Sequence, residues 1–142
     1  MMKVSDVMTT NVESCSPDTP LYEVASKMRE LEVGVMPICQ EEQLVGLATD
    51  RDMVLKGLAE QVPADTPISQ VMTSDPVRGT KNMSAEEAAD IMAEVQIRRL
   101  PIVEDGKLVG IVSLGDLAVT DQTSNEAGQA LEEISYPSEP SS

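Results

Sequence analysis

The chain contains two related heptapeptides, GLATDRD at residues 46–52 and GIVSLGD at residues 110–116, which lie 64 positions apart. The same offset aligns Val7-Met8-Thr9 with Val71-Met72-Thr73. The alignment runs without a gap from about residue 4 to residue 54. A constant offset over such a span indicates two copies of one structural unit.

Each copy predicts the same order of elements, β-α-β-β-α, and therefore a fold of the α/β (α+β) class. In the second copy a helix is expected to start at Ser84, which forms a capping-box pattern with Glu87 three positions later. In the first copy we expect Thr19 to cap the helix and Pro20 to occupy its first position.

Two strands and a second helix follow in each copy. Asp105-Gly106 between two apolar runs is a strong hairpin signal. Pro37 and Pro101 are expected to open their strands, where no ladder hydrogen bond is lost. The second helix is predicted from Thr49 to about Leu58 and from Ser113 to about Val119.

The chain is therefore divided by sequence into four parts. Residues 1–60 form the first repeat, 61–67 a linker and 68–122 the second repeat. Residues 123–142 form a tail with one more predicted helix, Asn125 to Ile134, followed by a polar, Pro-rich end that we expect to be flexible.

The composition excludes several classes of function. The 142 residues include 10 Lys+Arg, 25 Asp+Glu, no His and 2 Cys, with a formal charge of -15. Without His, imidazole catalysis and His-ligated metal sites are excluded. The acidic excess argues against nucleic acid as a partner, because phosphate neutralisation needs clustered Lys and Arg.

No membrane association or secretion is expected either. The amino terminus lacks the apolar run of a signal peptide, and no stretch approaches the roughly 18 apolar residues that span a bilayer. The simplest location is the cytoplasm. Cys15 is expected in a loop and Cys39 as a small buried residue of a strand; neither has a His neighbour that could activate its thiol.

The two repeats resemble tandem CBS domains, which together form a Bateman module. The resemblance covers about residues 1–121. It is carried by two patterns in each copy, a strand of the form hPhh and a closing Gly-h-h-Thr/Ser-x-x-Asp, where h is a hydrophobic residue and x is any residue. It implies that the two units pack sheet to sheet about a pseudo-twofold axis. It also implies two clefts between the repeats, which in this family commonly bind adenosine-containing ligands.

Thr49 with Asp52, and Ser113 with Asp116, admit two interpretations. In one, the hydroxyl and the carboxylate only cap a helix. In the other, which the resemblance implies, the aspartates accept from ribose hydroxyls and Thr49 and Ser113 lie near phosphate. Both interpretations can hold together.

Arg98 and Arg99 are adjacent guanidiniums on an acidic chain, directly before a strand. They either form surface salt bridges or bind phosphate, to which Arg is geometrically suited. The resemblance favours phosphate. The first copy has Gly34 and Val35 at these positions, so we expect two chemically unequal clefts.

An adenine base needs an apolar slot, and several apolar residues near the motifs are candidates for it. They are Val12, Val77, Ile97, Pro101, Met36 and Leu100, although most such residues belong to a core. Weaker candidates for phosphate contacts are Lys81, Arg78 and Arg51.

These features predict a regulatory binding module that senses AMP, ADP or ATP, with S-adenosylmethionine as an outlier. We expect no enzyme activity, no metal and no required cofactor, since the sequence offers no nucleophile–base pair. We expect a homodimer and allow for an unidentified protein partner. The alternative is a dimerising scaffold protein whose clefts stay empty. A ligand regulates only if it favours one state of the protein over another.

Overall fold

The computed structural model describes residues 2–118, which fall into two compact units. We call the first the Asp52 unit; it comprises residues 13–76 and 106–108. The second, the Asp116 unit, comprises residues 2–12 and 77–105 together with the chain from Val109 to the end of the described part. The predicted helix Asn125 to Ile134 lies outside the described residues.

Helices and strands alternate in both units, which confirms the mixed α+β class. The Asp52 unit contains α1 (Leu21–Leu31), β1 (Val35–Gln40), β2 (Gln43–Thr49), α2 (Asp50–Asp52) with its π-helical continuation (Met53–Leu58), a 3-10 turn (Ile68–Gln70) and β3 (Thr73–Ser74). The Asp116 unit contains a 3-10 turn (Val4–Asp6), β4 (Gly79–Thr80), α3 (Ala85–Val95), β5 (Arg99–Glu104), most of β6 (Lys107–Ser113) and α4 (Leu114–Ala118).

In the Asp52 unit, β1 and β2 form an antiparallel hairpin that pairs Val35 with Thr49. Its two-residue turn, Glu41 and Glu42, has φ values of 52° and 72°. Two successive positive φ angles match the twist of a hairpin, although they are uncommon in residues other than glycine. The pairing brings the end of β2 beside the loop before β1, where the N–H of Asp50 donates to the carbonyl of Gly34 at 3.0 Å.

In the Asp116 unit, β4 runs parallel to β5, and β5 is hydrogen-bonded to β6. The predicted cap of α3 is confirmed, because the Ser84 hydroxyl accepts from the N–H of Glu87 at 3.0 Å. The amino-terminal segment belongs to this unit: Thr9 and Ile111 exchange backbone hydrogen bonds of 2.8 and 3.0 Å.

Each unit has its own apolar core. The core of the Asp52 unit consists of Cys15, Val24, Met28, Met36, Ile38, Ala48, Ile68 and Val71. The core of the Asp116 unit consists of Val4, Ala85, Ala88, Ala89, Met92, Leu100, Ile102, Val112, Leu114 and Leu117. Val4 and Ile68 are fully buried, so the short turn that opens one sequence repeat completes the core formed by the helix and hairpin of the other.

The expected cap of α1 is wrong. The helix begins at Leu21, and the hydroxyl of Thr19 accepts from the N–H of Ser16 at 3.2 Å instead of from the helix. The first free N–H groups of the helix are satisfied by backbone carbonyls of the following linker: Leu21 donates to Thr66 at 2.8 Å and Tyr22 to Ala64 at 3.0 Å. A side-chain cap is unnecessary because these donors already have partners.

The sequence predicted that Pro37 and Pro101 open their strands, and this prediction is wrong. The two prolines are the third residues of β1 and β5. Around Pro37 the reason is visible in the hydrogen bonds. The carbonyl of Pro37 accepts from Cys15 at 3.1 Å, and the next donor used on that side of the strand is the N–H of Cys39 at 2.9 Å. The missing N–H of Pro37 therefore costs no pairing.

Gly46 and Gly110 explain why the Val-Met-Thr and Leu-Val-Gly segments recur together at the same offset in the two copies. A Cβ at Gly46 would collide with the side chain of Met72, and a Cβ at Gly110 would lie 2.6 Å from the sulfur of Met8. Each Val-Met-Thr turn thus covers a Leu-Val-Gly strand, with the methionine lying where a side chain would otherwise be. Gly110 also has a backbone neighbour, since its Cβ would lie 2.9 Å from the carbonyl oxygen of Thr9.

We predict that Gly110→Ala destabilises the protein more than Gly46→Ala. A flexible methionine can move away from an added methyl group, but the backbone carbonyl of Thr9 is held by its pairing with Ile111. The expected loss for Gly110→Ala is about 1–3 kcal/mol in the free energy of unfolding, measured by urea denaturation. Because both variants change the unfolded chain in the same way, an equal loss would contradict this packing.

Candidate functional site

The first candidate motif lies where β2 ends and α2 begins. The hydroxyl of Thr49 accepts from the N–H of Asp52 at 3.0 Å, and Oδ2 of Asp52 accepts from the N–H of Thr49 at 3.1 Å. This reciprocal pair is a capping box. It fixes both side chains at the strand-to-helix junction, so the capping interpretation of this motif is correct whether or not a ligand binds.

Asp52 has two further partners that do not belong to the motif. Its Oδ1 lies 3.4 Å from the ammonium of Lys56, one helical turn further on. The hydroxyl of Thr73 in β3 lies 3.3 Å from Oδ2 and 3.4 Å from Oδ1. Asp52 is only 8% exposed, so most of its carboxylate is surrounded by the protein.

The second motif repeats the capping geometry at the junction of β6 and α4. The hydroxyl of Ser113 accepts from the N–H of Asp116 at 3.1 Å, and Oδ2 of Asp116 accepts from the N–H of Ser113 at 3.0 Å. Asp116 is half-buried. Within residues 2–118, no side chain contacts its carboxylate as Lys56 and Thr73 contact that of Asp52.

The loop before β5 lies directly against this second motif. The N–H of Leu114 donates to the carbonyl of Arg98 at 3.0 Å, in the same way that Asp50 donates to Gly34 in the other unit. The side chains of Arg98 and Arg99 are exposed. The backbone of Arg98 therefore contacts the start of α4, and Arg99 is the next residue in the chain.

The candidate site residues are unevenly distributed over the two units. Thr49 and Asp52 belong to the Asp52 unit, as do Met36 and the weaker candidate Arg51. The Asp116 unit contains Val12, Val77, Ile97, Arg98, Arg99, Pro101, Ser113 and Asp116. Val12 comes from the first sequence repeat, and its placement beside residues of the second follows from tertiary structure alone.

The apolar candidates differ in how accessible they are. Val77 is 44% exposed, Ile97 and Val12 are half-buried, and Pro101 is buried within β5. Met36 and Leu100 are fully buried core residues and have no surface for a base. Lys81, a weaker phosphate candidate, forms an ion pair with Glu104 at 2.9 Å.

Sequence reasoning missed Lys56 and Thr73. Lys56 had a signal, because it lies four residues after Asp52 and such pairs meet on one helix face. Thr73 had none, since 21 residues separate it from Asp52 and only the pairing of β3 with β2 brings them together.

Both cysteines are free thiols with suppressed reactivity. Burial raises the pKa of the Cys15 thiol, and burial likewise raises the pKa of the Cys39 thiol. A raised pKa leaves little thiolate, which is the reactive form, at neutral pH. Among the residues that the structure describes, no three His, Cys, Asp or Glu side chains converge in a way that could hold a metal ion. The helices of this part of the chain are also too short or too polar to span a membrane.

The fold and the paired motifs agree with the results of comparison with known proteins. A family model of the CBS domain matches residues 4–57 and 68–120. The CBS domain-containing protein YhcV of Bacillus subtilis is 46% identical over 136 residues, which cover 96% of this chain and 97% of YhcV. The chain therefore belongs to the CBS-domain family, and the resemblance inferred from the two heptapeptides is confirmed.

Two solved structures are similar along most of the chain. Hypoxic Response Protein I, crystallised with two coordinated zinc ions, has a TM-score of 0.76 and 34% identity and covers 82% of this chain and 97% of its own. By sequence, the hypoxic response protein 1 of Mycobacterium tuberculosis is 35% identical over 120 residues. CBSX2 in complex with AMP has a TM-score of 0.74 and 28% identity, covering 83% of this chain and 94% of its own.

We predict that Thr49→Ala lowers the free energy of unfolding by about 1 kcal/mol, because it removes the hydroxyl that caps α2. Thr49→Ser keeps the hydroxyl and serves as the matched control, with a smaller expected loss. Urea denaturation of the three proteins measures both effects. A Thr49→Ala protein as stable as the wild type would show that the 3.0 Å hydrogen bond to Asp52 contributes nothing to stability.

Proposed function

We propose that this protein is a regulatory module that binds an adenosine-containing ligand, AMP, ADP or ATP, through the Ser113–Asp116 motif. The observation that carries the proposal is the set of hydrogen-bond partners of the Asp116 carboxylate. Its Oδ2 is fixed by the N–H of Ser113, while no side chain within residues 2–118 donates to Oδ1. An ionised carboxylate only accepts hydrogen bonds, and the vicinal hydroxyls of ribose supply two donors.

The charges around this motif favour a phosphorylated nucleoside over a neutral one. The backbone of Arg98 contacts the start of α4, and the exposed guanidinium of Arg99 follows it at the beginning of β5. Guanidinium groups bind phosphate in a bidentate, charge-assisted manner. The AMP complex of CBSX2, a structural relative at 28% identity, supports the same ligand class.

The proposed function does not include zinc binding, although Hypoxic Response Protein I was crystallised with two coordinated zinc ions. The present chain has no His; Cys15 is buried in the apolar core of the Asp52 unit, and Cys39 is half-buried. Binding alone, without catalysis, is the activity that we propose, and its output passes to self-association or to a separate protein. Such an output requires that the ligand bind one state of the module more tightly than another.

Self-association as a homodimer is supported by an exposed apolar surface in the Asp52 unit. Leu58 is 76% exposed, Val54 53% and Leu55 49%, all within the π-helical continuation of α2. We call these three residues the α2 apolar face. Single exposed leucines are common, but three exposed apolar residues within five positions of one helix favour a contact surface. The same surface supports the second candidate function, a scaffold protein that dimerises without a ligand.

We predict that AMP raises the melting temperature of the wild-type protein and that Asp116→Asn and Arg99→Gln weaken AMP binding about 10- to 100-fold. Loss of one charge-assisted hydrogen bond, about 1.5–3 kcal/mol, corresponds to such a factor. Thermal shift and isothermal titration calorimetry measure the two effects. Asp90→Asn, on an exposed position of α3, is the control for the loss of a carboxylate.

The ligand itself provides a second control. An AMP analogue without the ribose hydroxyls, 2′,3′-dideoxyadenosine monophosphate, is expected to bind as weakly as AMP binds to Asp116→Asn. If no adenine nucleotide shifts the melting temperature, the scaffold function is favoured. Release of a product from AMP or ATP by the pure protein would show instead that the protein is an enzyme.

We predict that Leu58→Asp converts a homodimer into a monomer in sedimentation-velocity experiments, because a carboxylate on the α2 apolar face opposes its burial. Leu31→Asp, which changes a leucine that is 41% exposed at the end of α1, is the matched control. A wild-type protein that sediments as a monomer at all concentrations, or a Leu31→Asp protein that dissociates equally, would exclude this surface as the dimer contact.

A further inference from the structure

The carboxylate of Asp52 is engaged by the protein itself, in contrast to that of Asp116. Besides the N–H of Thr49, it is contacted by the ammonium of Lys56 at 3.4 Å and by the hydroxyl of Thr73 at 3.3 and 3.4 Å. Lys56 belongs to the π-helical continuation of α2, and Thr73 belongs to β3. Together they take up acceptor positions of both carboxylate oxygens.

A ribose that approached Asp52 would have to displace these donors. An ionised carboxylate has about four lone-pair positions, of which three already face Thr49, Thr73 and Lys56. The ammonium of Lys56 also attracts the carboxylate through its charge, which a neutral ribose hydroxyl does not. Binding of a ribose at Asp52 would therefore replace the contact with Lys56 by a weaker one. At Asp116, the ribose hydroxyls meet no such competing side chain within the described residues.

We infer that Lys56 is a specificity-determining residue that keeps the Thr49–Asp52 motif closed to nucleosides. The inference rests on the proposed function and deepens it, since it predicts one nucleoside per chain, bound at the Ser113–Asp116 motif. Lys56 is suited to this role because its side chain is half exposed while that of Asp52 is 11% exposed. The lysine can be removed without opening a cavity, and the carboxylate then lacks its cationic partner.

Adenosine is the appropriate probe because it has the ribose hydroxyls but no phosphate that Lys56 could attract. Isothermal titration calorimetry of adenosine is performed on the wild type, on Lys56→Met and on Lys56→Gln. Lys27→Met is the matched control, because Lys27 is another lysine of the Asp52 unit and its ion pair, with Glu13 at 3.2 Å, lies on the surface. Asp52→Asn is combined with Lys56→Met to locate any new site, and circular dichroism confirms that each variant is folded.

The expected result is one adenosine per chain for the wild type and Lys27→Met, and two for Lys56→Met and Lys56→Gln. The second site should bind adenosine at least tenfold more tightly than the Asp52 motif of the wild type and should disappear in the Lys56→Met/Asp52→Asn double variant. Two sites in the wild type, or no more sites in both Lys56 variants than in the wild type, would overturn the inference. A second site that weakens when Lys56 is replaced would also overturn it, because Lys56 would then be a ligand contact.

Failure of the proposed function gives a different pattern. If the wild type binds one adenosine that is lost in Asp116→Asn and the Lys56 variants add none, only the inference about Lys56 fails. If the wild type binds none but Lys56→Met binds one through Asp52, the assignment to the Asp116 motif fails and the role of Lys56 stands. If none of the proteins binds adenosine or AMP, both proposals fail.

Discussion

The reciprocal exchange of hydrogen bonds at each strand-to-helix junction is the interaction on which the candidate sites depend. Thr49 with Asp52, and Ser113 with Asp116, each use a hydroxyl and one carboxylate oxygen to satisfy two backbone N–H groups at 3.0–3.1 Å. A strand cannot pass directly into a helix unless these donors find partners. Meeting this structural need holds the aspartate in one orientation and leaves its second oxygen for another interaction.

The packing beneath these junctions is equally constrained. Met8 and Met72 lie over Gly110 and Gly46, so each hairpin that carries a junction is covered by a turn that opens a repeat. Val4 and Ile68 anchor those turns in the apolar cores, and neither unit is built from one continuous stretch of sequence. The positions of the aspartates therefore depend on contacts between segments that are far apart in the chain.

The same motif has acquired different surroundings in the two units. Asp52 is contacted by an ammonium and a hydroxyl. Asp116 is half-buried and lies in α4, whose first residue, Leu114, donates to the carbonyl of Arg98. A carboxylate that is already paired is a structural element, and one that retains acceptor positions is available to a ligand. Duplication thus gave two similar junctions, and their neighbours distinguish them chemically.

Much of this architecture could be predicted from the order of residues. The repeat offset, the helix that begins after Ser84 and the two capped junctions follow from local patterns, since capping and turn preferences act over three or four residues. Local patterns misplaced the cap of α1, because its donors are satisfied by Thr66 and Ala64 from the linker. Local patterns also could not decide which of the two carboxylates, that of Asp52 or that of Asp116, is contacted by other side chains.

Sequence by itself determined that the chain is an acidic, duplicated α+β protein of the CBS-domain family with two aspartates at equivalent junctions. Only the tertiary structure decided that Thr73 contacts Asp52 and that Val12 joins the unit of Asp116. The physical reason is that strand pairing and core burial join residues irrespective of their separation in the chain. The surroundings of a charged group, unlike its capping hydrogen bonds, are set by those long-range contacts.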